Sequence, residues 1–208
     1  MPKLVDVDQR RAELADAAAH VIARHGIDGT SMRGVAAEAG WTTGALVHYF
    51  SNKQELLAFT LQTSLRRLRS QQADRAHLPP AEALRGMLLD ALPTTQAAKL
   101  HWIVTLAFAA QASSDVQLAT IQRDAYRSFH SAVAELLTHV RPGSDQHDPD
   151  PQVLSTAQVE HEAERLIGVV DGIALQALFD PERWTCRRQI DALQAALDHS
   201  IGAPEGTQ

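Results

Sequence analysis

The 208-residue chain has a single cysteine, Cys186, so no internal disulfide can form and nothing points to an oxidising compartment. Aromatic residues make up only 5% of it. β-Branched residues are comparatively few, and alanine and leucine fill the apolar positions, a balance that favours helices over strands. No window alternates apolar and polar residues convincingly enough to read as a strand. No apolar run approaches the roughly 18 residues that a membrane span requires. The best, Leu100–Ala112 (LHWIVTLAFAAQA), reads as a buried helix central to the second half of the chain. The amino-terminal MPKLVDVDQRR has no apolar signal-peptide core, so the protein is expected in the cytoplasm. Glycine-rich phosphate loops, repeats and sustained heptads are all missing.

Chemistry of the catalytic kind is missing as well. No serine or cysteine has the surroundings of a nucleophile, so neither an enzyme nor a cofactor is expected. His147, Asp148, Asp150, Glu160 and His161 come nearest to a metal site, but their spacing matches no ligand motif, and no metal is expected. A strongly basic footprint is absent too. The net charge is −6, and residues 1–53 carry six bases and six acids, so the whole deficit lies beyond Lys53. That balance counts against nucleic acid at first sight.

What is present is helical punctuation. Leu14, Ala18, Val21, Ile22 and His25 fall on one face of a first helix, Arg11–His25, stopped by Gly26. Ser31 is the N-cap of a short helix, Met32–Ala39, and a second short helix runs from Thr42 to Phe50. A long helix starts at Lys53 and continues towards Ala76. Further helices are expected over Ala81–Leu92, Gln96–Ala112, Val116–Val140, Gln158–Phe179 and Thr185–Ile201, with a Pro- and Asp-rich loop at Arg141–Gln152. The fold class is therefore all-α.

One stretch carries more than packing. Met32–Tyr49, MRGVAAEAGWTTGALVHY, is a pair of short helices joined at a glycine, the helix-turn-helix arrangement. Ala36 is small where the helices cross, and Val35, Ala39 and Leu46 face the shared core. Gly40 sits at a sharp turn that calls for positive φ. Outward on the second helix lie Thr42, Thr43, Gly44, Val47 and His48, small or polar groups that let a helix approach base edges in a major groove. Thr42 and Thr43 also suit capping, and Trp41 suits packing. Arg11 and Arg24 read as solvated.

Ser31-Met32-Arg33, then VAAEAGWTTGALVHYFSNKQELL over Val35–Leu57, closely resembles the DNA-binding domain of the TetR (tetracycline-repressor) family of transcriptional regulators, over roughly residues 8–60. Leu166–Trp184, LIGVVDGIALQALFDPERW, resembles the C-terminal region of members similar to the choline-responsive betaine-pathway repressor, a likeness that transfers no ligand. The first resemblance implies phosphate or base contacts from Ser31 and Arg33. It puts Thr42, Thr43, Gly44 and Ala45 nearest the bases and gives phosphate hydrogen bonds to His48, Tyr49 and Lys53; Phe50 would be core. The family commonly has tyrosine where this chain has Val47. That phosphate contact is lost, which with the neutral charge balance implies more reliance on dimer pairing.

The same resemblance implies a helix-turn-helix domain over residues 8–68 and a ligand-binding and dimerisation domain over 69–204. The partners implied are double-stranded palindromic operator DNA, an unidentified small-molecule effector and a second copy of the chain, paired through the last two helices. Candidates for the effector pocket are Phe59, Met87, His101, Trp102, Thr105, Phe108, Tyr126 and Phe129, with Gln111 as a further polar group; each also fits plain core packing.

Overall fold

A computed structural model describes residues 7–73, 75, 77–140 and 154–201. Among them all regular structure is helical: α1 Val7–His25, α2 Met32–Glu38, α3 Thr43–Val47, α4 Lys53–Ala73, α5 Pro80–Asp90, α6 Gln96–Ala112, α7 Val116–His139, α8 Thr156–Phe179 and α9 Cys186–Ile201. The all-α expectation holds. The loop Arg141–Gln152, with His147, Asp148 and Asp150, lies outside the described residues. Among the described residues no helix is long and apolar enough to cross a membrane.

Local chemistry sets the helix ends. α1 begins before the expected Arg11, because its first turn needs no apolar face: Gln9 and Arg10 both hydrogen-bond to Glu13 on the exposed side. It stops at Gly26, whose φ of 69° suits glycine. Pro80 occupies the first turn of α5, where its missing N–H leaves no helical bond unmade. α8 starts at Thr156 rather than Gln158, because Ser155 and Gln158 form a reciprocal capping box.

The packing forms two units. The first takes the described residues up to Arg67 together with Leu100–Ala125; the second takes Leu68–Lys99 and the described residues from Tyr126 onward. The first holds two apolar clusters. Leu14, Ala18 and Val21 of α1, Val35 and Ala36 of α2, Leu46 of α3, Phe50, and Leu56 of α4 make one. Ala19, Ile22, Ile27, Leu57, Leu61, Val104, Phe108 and Leu118 make the other. α6 is thus not the centre of the second half: its Val104 and Phe108 pack against α1 and α4. A helix apolar on nearly every side carries no stripe to say which neighbour it will meet. In the second unit α8 packs along α9, and α5 meets α9 with Arg85 bonded to Asp198 at 3.0 Å.

Polar groups accompany the packing of α6 against α4 and α7. Ser64 Oγ and His101 Nδ1 are hydrogen-bonded at 2.7 Å, and Gln122 Nε2 donates to the Thr105 carbonyl at 3.0 Å. Burial pushes His101 down from an ordinary 6.5 to about 4, so the folded ring is neutral. Between those two values the unfolded chain binds the extra proton, so this contribution is fully present above about pH 6.5 and is lost as pH falls towards 4. The shift corresponds to on the order of 3 kcal/mol. In urea titrations at about pH 7 and pH 4.5, His101→Gln is expected to lose markedly less stability on acidification than the parent. Equal losses would remove His101 as the cause.

Candidate nucleic-acid interface

The site is built on the α2–turn–α3 segment. Ser31 caps α2, its Oγ accepting from Gly34 N at 3.1 Å. At the other end Gly40 has φ of 71°, with Gly40 N bonded to Ala37 O at 3.1 Å and Trp41 N to Ala36 O at 2.7 Å. This pair of bonds is the Schellman motif, which needs a left-handed residue at the glycine position. Thr42 then caps α3, its Oγ1 accepting from Ala45 N at 3.2 Å.

α3 is shorter than expected. It covers Thr43–Val47, and His48–Phe50 leave it as a turn in which Tyr49 N bonds to Leu46 O at 2.9 Å. The chain must turn there, because Phe50 enters the core and Asn52 already caps α4, its Oδ1 accepting from Glu55 N at 2.8 Å. A five-residue helix cannot offset its own nucleation cost. Leu46 and Phe50, both fully buried, hold it down, each side chain contributing on the order of 2 kcal/mol.

That anchoring leaves a polar face outward. Ser31, Arg33, Thr42, Thr43, Gly44, Val47 and His48 are exposed, and Ala45 is partly so. Tyr49 is half-buried, its ring edge-on to Trp41 at 5.5 Å between centroids, and Arg10 lies over Trp41 at 5.6 Å. Eight of the nine candidate DNA contacts therefore share this short segment. The ninth, Lys53, has another engagement: its Nζ donates to Ile27 O at 2.7 Å and approaches Asp28 O at 3.5 Å. It ties the start of α4 to the chain after α1, with one of its three N–H groups left over.

Of the two arginines read as solvated, Arg24 stays exposed, with its guanidinium paired to Glu38 between α1 and α2. Arg11 is the residue that sequence reading missed. Its guanidinium lies 4.4 Å from the Phe50 ring centroid and 4.6 Å from that of Phe59, and its Nη2 bonds to Glu55 Oε1 at 3.1 Å. The other Glu55 oxygen accepts from Ser51 N at 2.8 Å. That backbone bond, more than the nearby arginine, holds the Glu55 carboxyl below its usual range. No local pattern announces this arrangement, because its partners are some 40 residues apart.

The effector candidates are not brought together as one set. Phe59 packs on Phe50 against the α1–α4 core, so it belongs to the reading head. His101, Trp102, Thr105 and Phe108 also lie in the first unit. Trp102 and Phe108 are buried, and Thr105 Oγ1 is buried with no hydrogen-bond partner. Met87, Tyr126 and Phe129 lie in the second unit. Tyr126 donates to Asp171 Oδ2 at 3.2 Å, and burial, with that carboxylate, pushes its hydroxyl up to about 12. Two cavities in the second unit, of about 290 and 490 Å³, are lined by none of these residues; Ser131 and Glu160 line the first, His161 and His199 the second.

A capped helix pair, turned at a left-handed glycine and anchored to leave a small polar face outward, is a helix-turn-helix DNA-reading head. Comparison with known proteins gives it a family. The model of bacterial regulatory proteins of the tetR family matches residues 14–58, and that of the BetI-type transcriptional repressor C-terminal region matches residues 80–202. The HTH-type transcriptional regulator PksA of Bacillus subtilis is 35% identical over 185 residues, 88% of this chain and 85% of its own. A transcriptional regulator from Rhodococcus sp. Rha1 superposes with a TM-score of 0.77 at 28% identity, covering 95% of this chain and 99% of its own. A Saccharomonospora viridis protein in complex with choline shares the fold, with a TM-score of 0.78 at 21% identity, over 93% of this chain and 98% of its own. The chain belongs to the TetR family of transcriptional regulators, with a BetI-type C-terminal region.

The turn chemistry is directly testable. A Cβ at Gly40 would meet nothing within 4 Å, so Gly40→Ala introduces backbone strain without a clash. It is expected to destabilise the head by about 1 kcal/mol, read as a lower unfolding midpoint. An unchanged midpoint would mean that the turn does not need the left-handed conformation.

Proposed function

We propose that this protein represses transcription from a palindromic operator and leaves it when a small molecule binds the C-terminal region. The observation that carries this reading is the exposed row Thr42, Thr43 and Gly44, fixed from beneath by Leu46 and Phe50. Small side chains let α3 seat in the major groove. Ser31, Arg33, His48 and Tyr49 then meet phosphates on either side, and Lys53 offers its remaining N–H to another. The functional division is residues 8–68 for DNA and 69–204 for effector and pairing. Because its target is the chromosome, the protein works in the cytoplasm.

One five-residue helix reads too few bases, so two heads must act together. The dimer forms through α8 and α9. Phe179 at the end of α8 is 78% exposed, and Gly168 and Gly172 have open space where a side chain would stand. An exposed aromatic beside small residues is a surface on which a second helix packs closely. The effector, whose identity is open, biases the pair between a pose that spans adjacent major grooves and one that does not. Choline is bound by the Saccharomonospora viridis neighbour; here small amphipathic molecules, choline among them, form the first screening set for operator release.

The experiment uses a duplex that the purified full chain selects from a random-sequence DNA pool. Tyr49→Phe keeps the ring on Trp41 and removes one hydroxyl, so binding should weaken about tenfold on every sequence, as for the loss of one hydrogen bond to a charged group. Thr43→Val should instead change which sequence is preferred. Failure to select any duplex, or indifference of both variants, would end this docking. Phe179→Asp should yield monomers in sedimentation and abolish tight binding; a dimeric variant would move the interface away from α8.

A further inference from the structure

Arg11 makes none of the DNA contacts assigned above, yet it sits where the end of α3 is decided. The N-terminal end of α3 is held by the Thr42 cap and the Schellman bonds at Gly40. Its C-terminal end has no such turn. After Phe50 the chain must reach α4 through Ser51 and Asn52, and two side-chain bonds fasten that corner: Glu55 Oε2 accepts from Ser51 N at 2.8 Å, and Asn52 Oδ1 accepts from Glu55 N at 2.8 Å. Glu55 is itself oriented by Arg11 Nη2 on its other oxygen, at 3.1 Å. The same guanidinium lies against both rings of the touching Phe50–Phe59 pair, 4.4 and 4.6 Å from their centroids, so it braces the ring that ends the recognition segment. A single side chain of α1 therefore touches Phe50 directly and Ser51 through Glu55.

We infer that Arg11 is a positioning residue for DNA recognition: it sets the angle at which His48 and Tyr49 leave α3, without contacting DNA itself. The inference rests on the docking described under Proposed function. Lysine cannot replace it, because a compact ammonium lacks the planar group that lies against both rings while one N–H reaches the Glu55 carboxylate. Arg11 has 26% of its side chain exposed, and its polar end is already engaged, which separates it from Arg33. Among the described residues of 8–68, Arg33 and Arg66 are the arginines with no ion pair or ring contact, the other four being engaged or paired.

The test uses the full-length dimer, the selected duplex and Arg11→Met, which keeps the length and apolar contact of the side chain and removes its charge and plane. Operator affinity is expected to fall about tenfold, while the slope of log K against log salt stays at the parent value because no phosphate contact is lost. Amide exchange at Ser51 should quicken, and exchange in α1 and α2 should not. A slope smaller by about one would make Arg11 a phosphate contact and overturn the inference; parental affinity in Arg11→Met would do the same. Glu55→Gln, nearly isosteric, is a second route should Arg11→Met fold poorly, and its parental affinity would likewise count against the claim. Where both singles fold, their combination should cost no more than either alone, since they act as one unit; additive losses would refute that. A parent that binds the duplex and is weakened by Tyr49→Phe, beside an unaffected Arg11→Met, sinks this inference and leaves the docking intact. A parent that selects no duplex sinks both.

Discussion

A recognition helix of five residues cannot stand alone, and the rest of the reading head follows from that limit. Helix formation becomes favourable only after a nucleus that α3 is barely long enough to complete. Its conformation is imposed from outside: Leu46 and Phe50 sink into the cluster built by Leu14, Val35 and Leu56, and caps at Thr42 and Gly40 close its approach. The arrangement has a functional benefit. Because burial lies entirely on one side, the opposite side can be as small as Thr43 and Gly44 without loss of order. A longer, self-supporting helix would not need so many neighbours. Here the neighbours in α1, α2 and α4 determine where the helix points.

The parts of this head that were legible in the sequence are those governed by residues close together in the chain. Ser31, Gly40 and Thr42 announced the two short helices, because caps and left-handed turns are chemistry within three or four residues. The family resemblance then gave roles to the outward positions. Ser155 and Gln158 carried the same kind of local signal and could have placed the start of α8. What stayed illegible was tertiary. Arg11 reads as solvated in sequence, because its partners Phe50, Glu55 and Phe59 come from beyond two intervening helices. α6 reads in sequence as central to the second half, because an apolar helix without a stripe is compatible with any core. In sequence Phe59 fits a pocket wall and a core position alike, for a related reason: aromatic residues in helices fill cores and line cavities with the same spacing.

The site in the reading head and the polar contacts of α4 with α6 differ in how they treat polar groups. In the head, side-chain oxygens mostly satisfy backbone N–H groups at helix ends, so they stabilise conformation and stay near water. At α4–α6 an imidazole is buried beside a serine and kept neutral by desolvation. A buried neutral histidine with one good hydrogen bond is compatible with a stable core. The Thr105 hydroxyl, buried without a partner on the same helix, is the less settled group. An unmade hydrogen bond of that kind is costly, and a ligand or a rearrangement that supplied a partner would be favoured by that amount.

Charge decides how such a head can hold DNA. Arg10 pairs with Glu13, Arg11 with Glu55, Arg24 with Glu38, and Lys53 with backbone carbonyls. Among the described residues these four cations therefore act as ties within the head, while Arg33 stays exposed and unpaired. Counterion release scales with the number of phosphates neutralised, so a head with few free cations has little of that sequence-independent attraction. In the docking proposed above, affinity then comes from hydrogen-bond donors such as Thr43, His48 and Tyr49, which reward correct geometry. Donors of that kind act only when the head is held in register, so that docking implies weak non-specific attraction and strong dependence on a second, correctly spaced head.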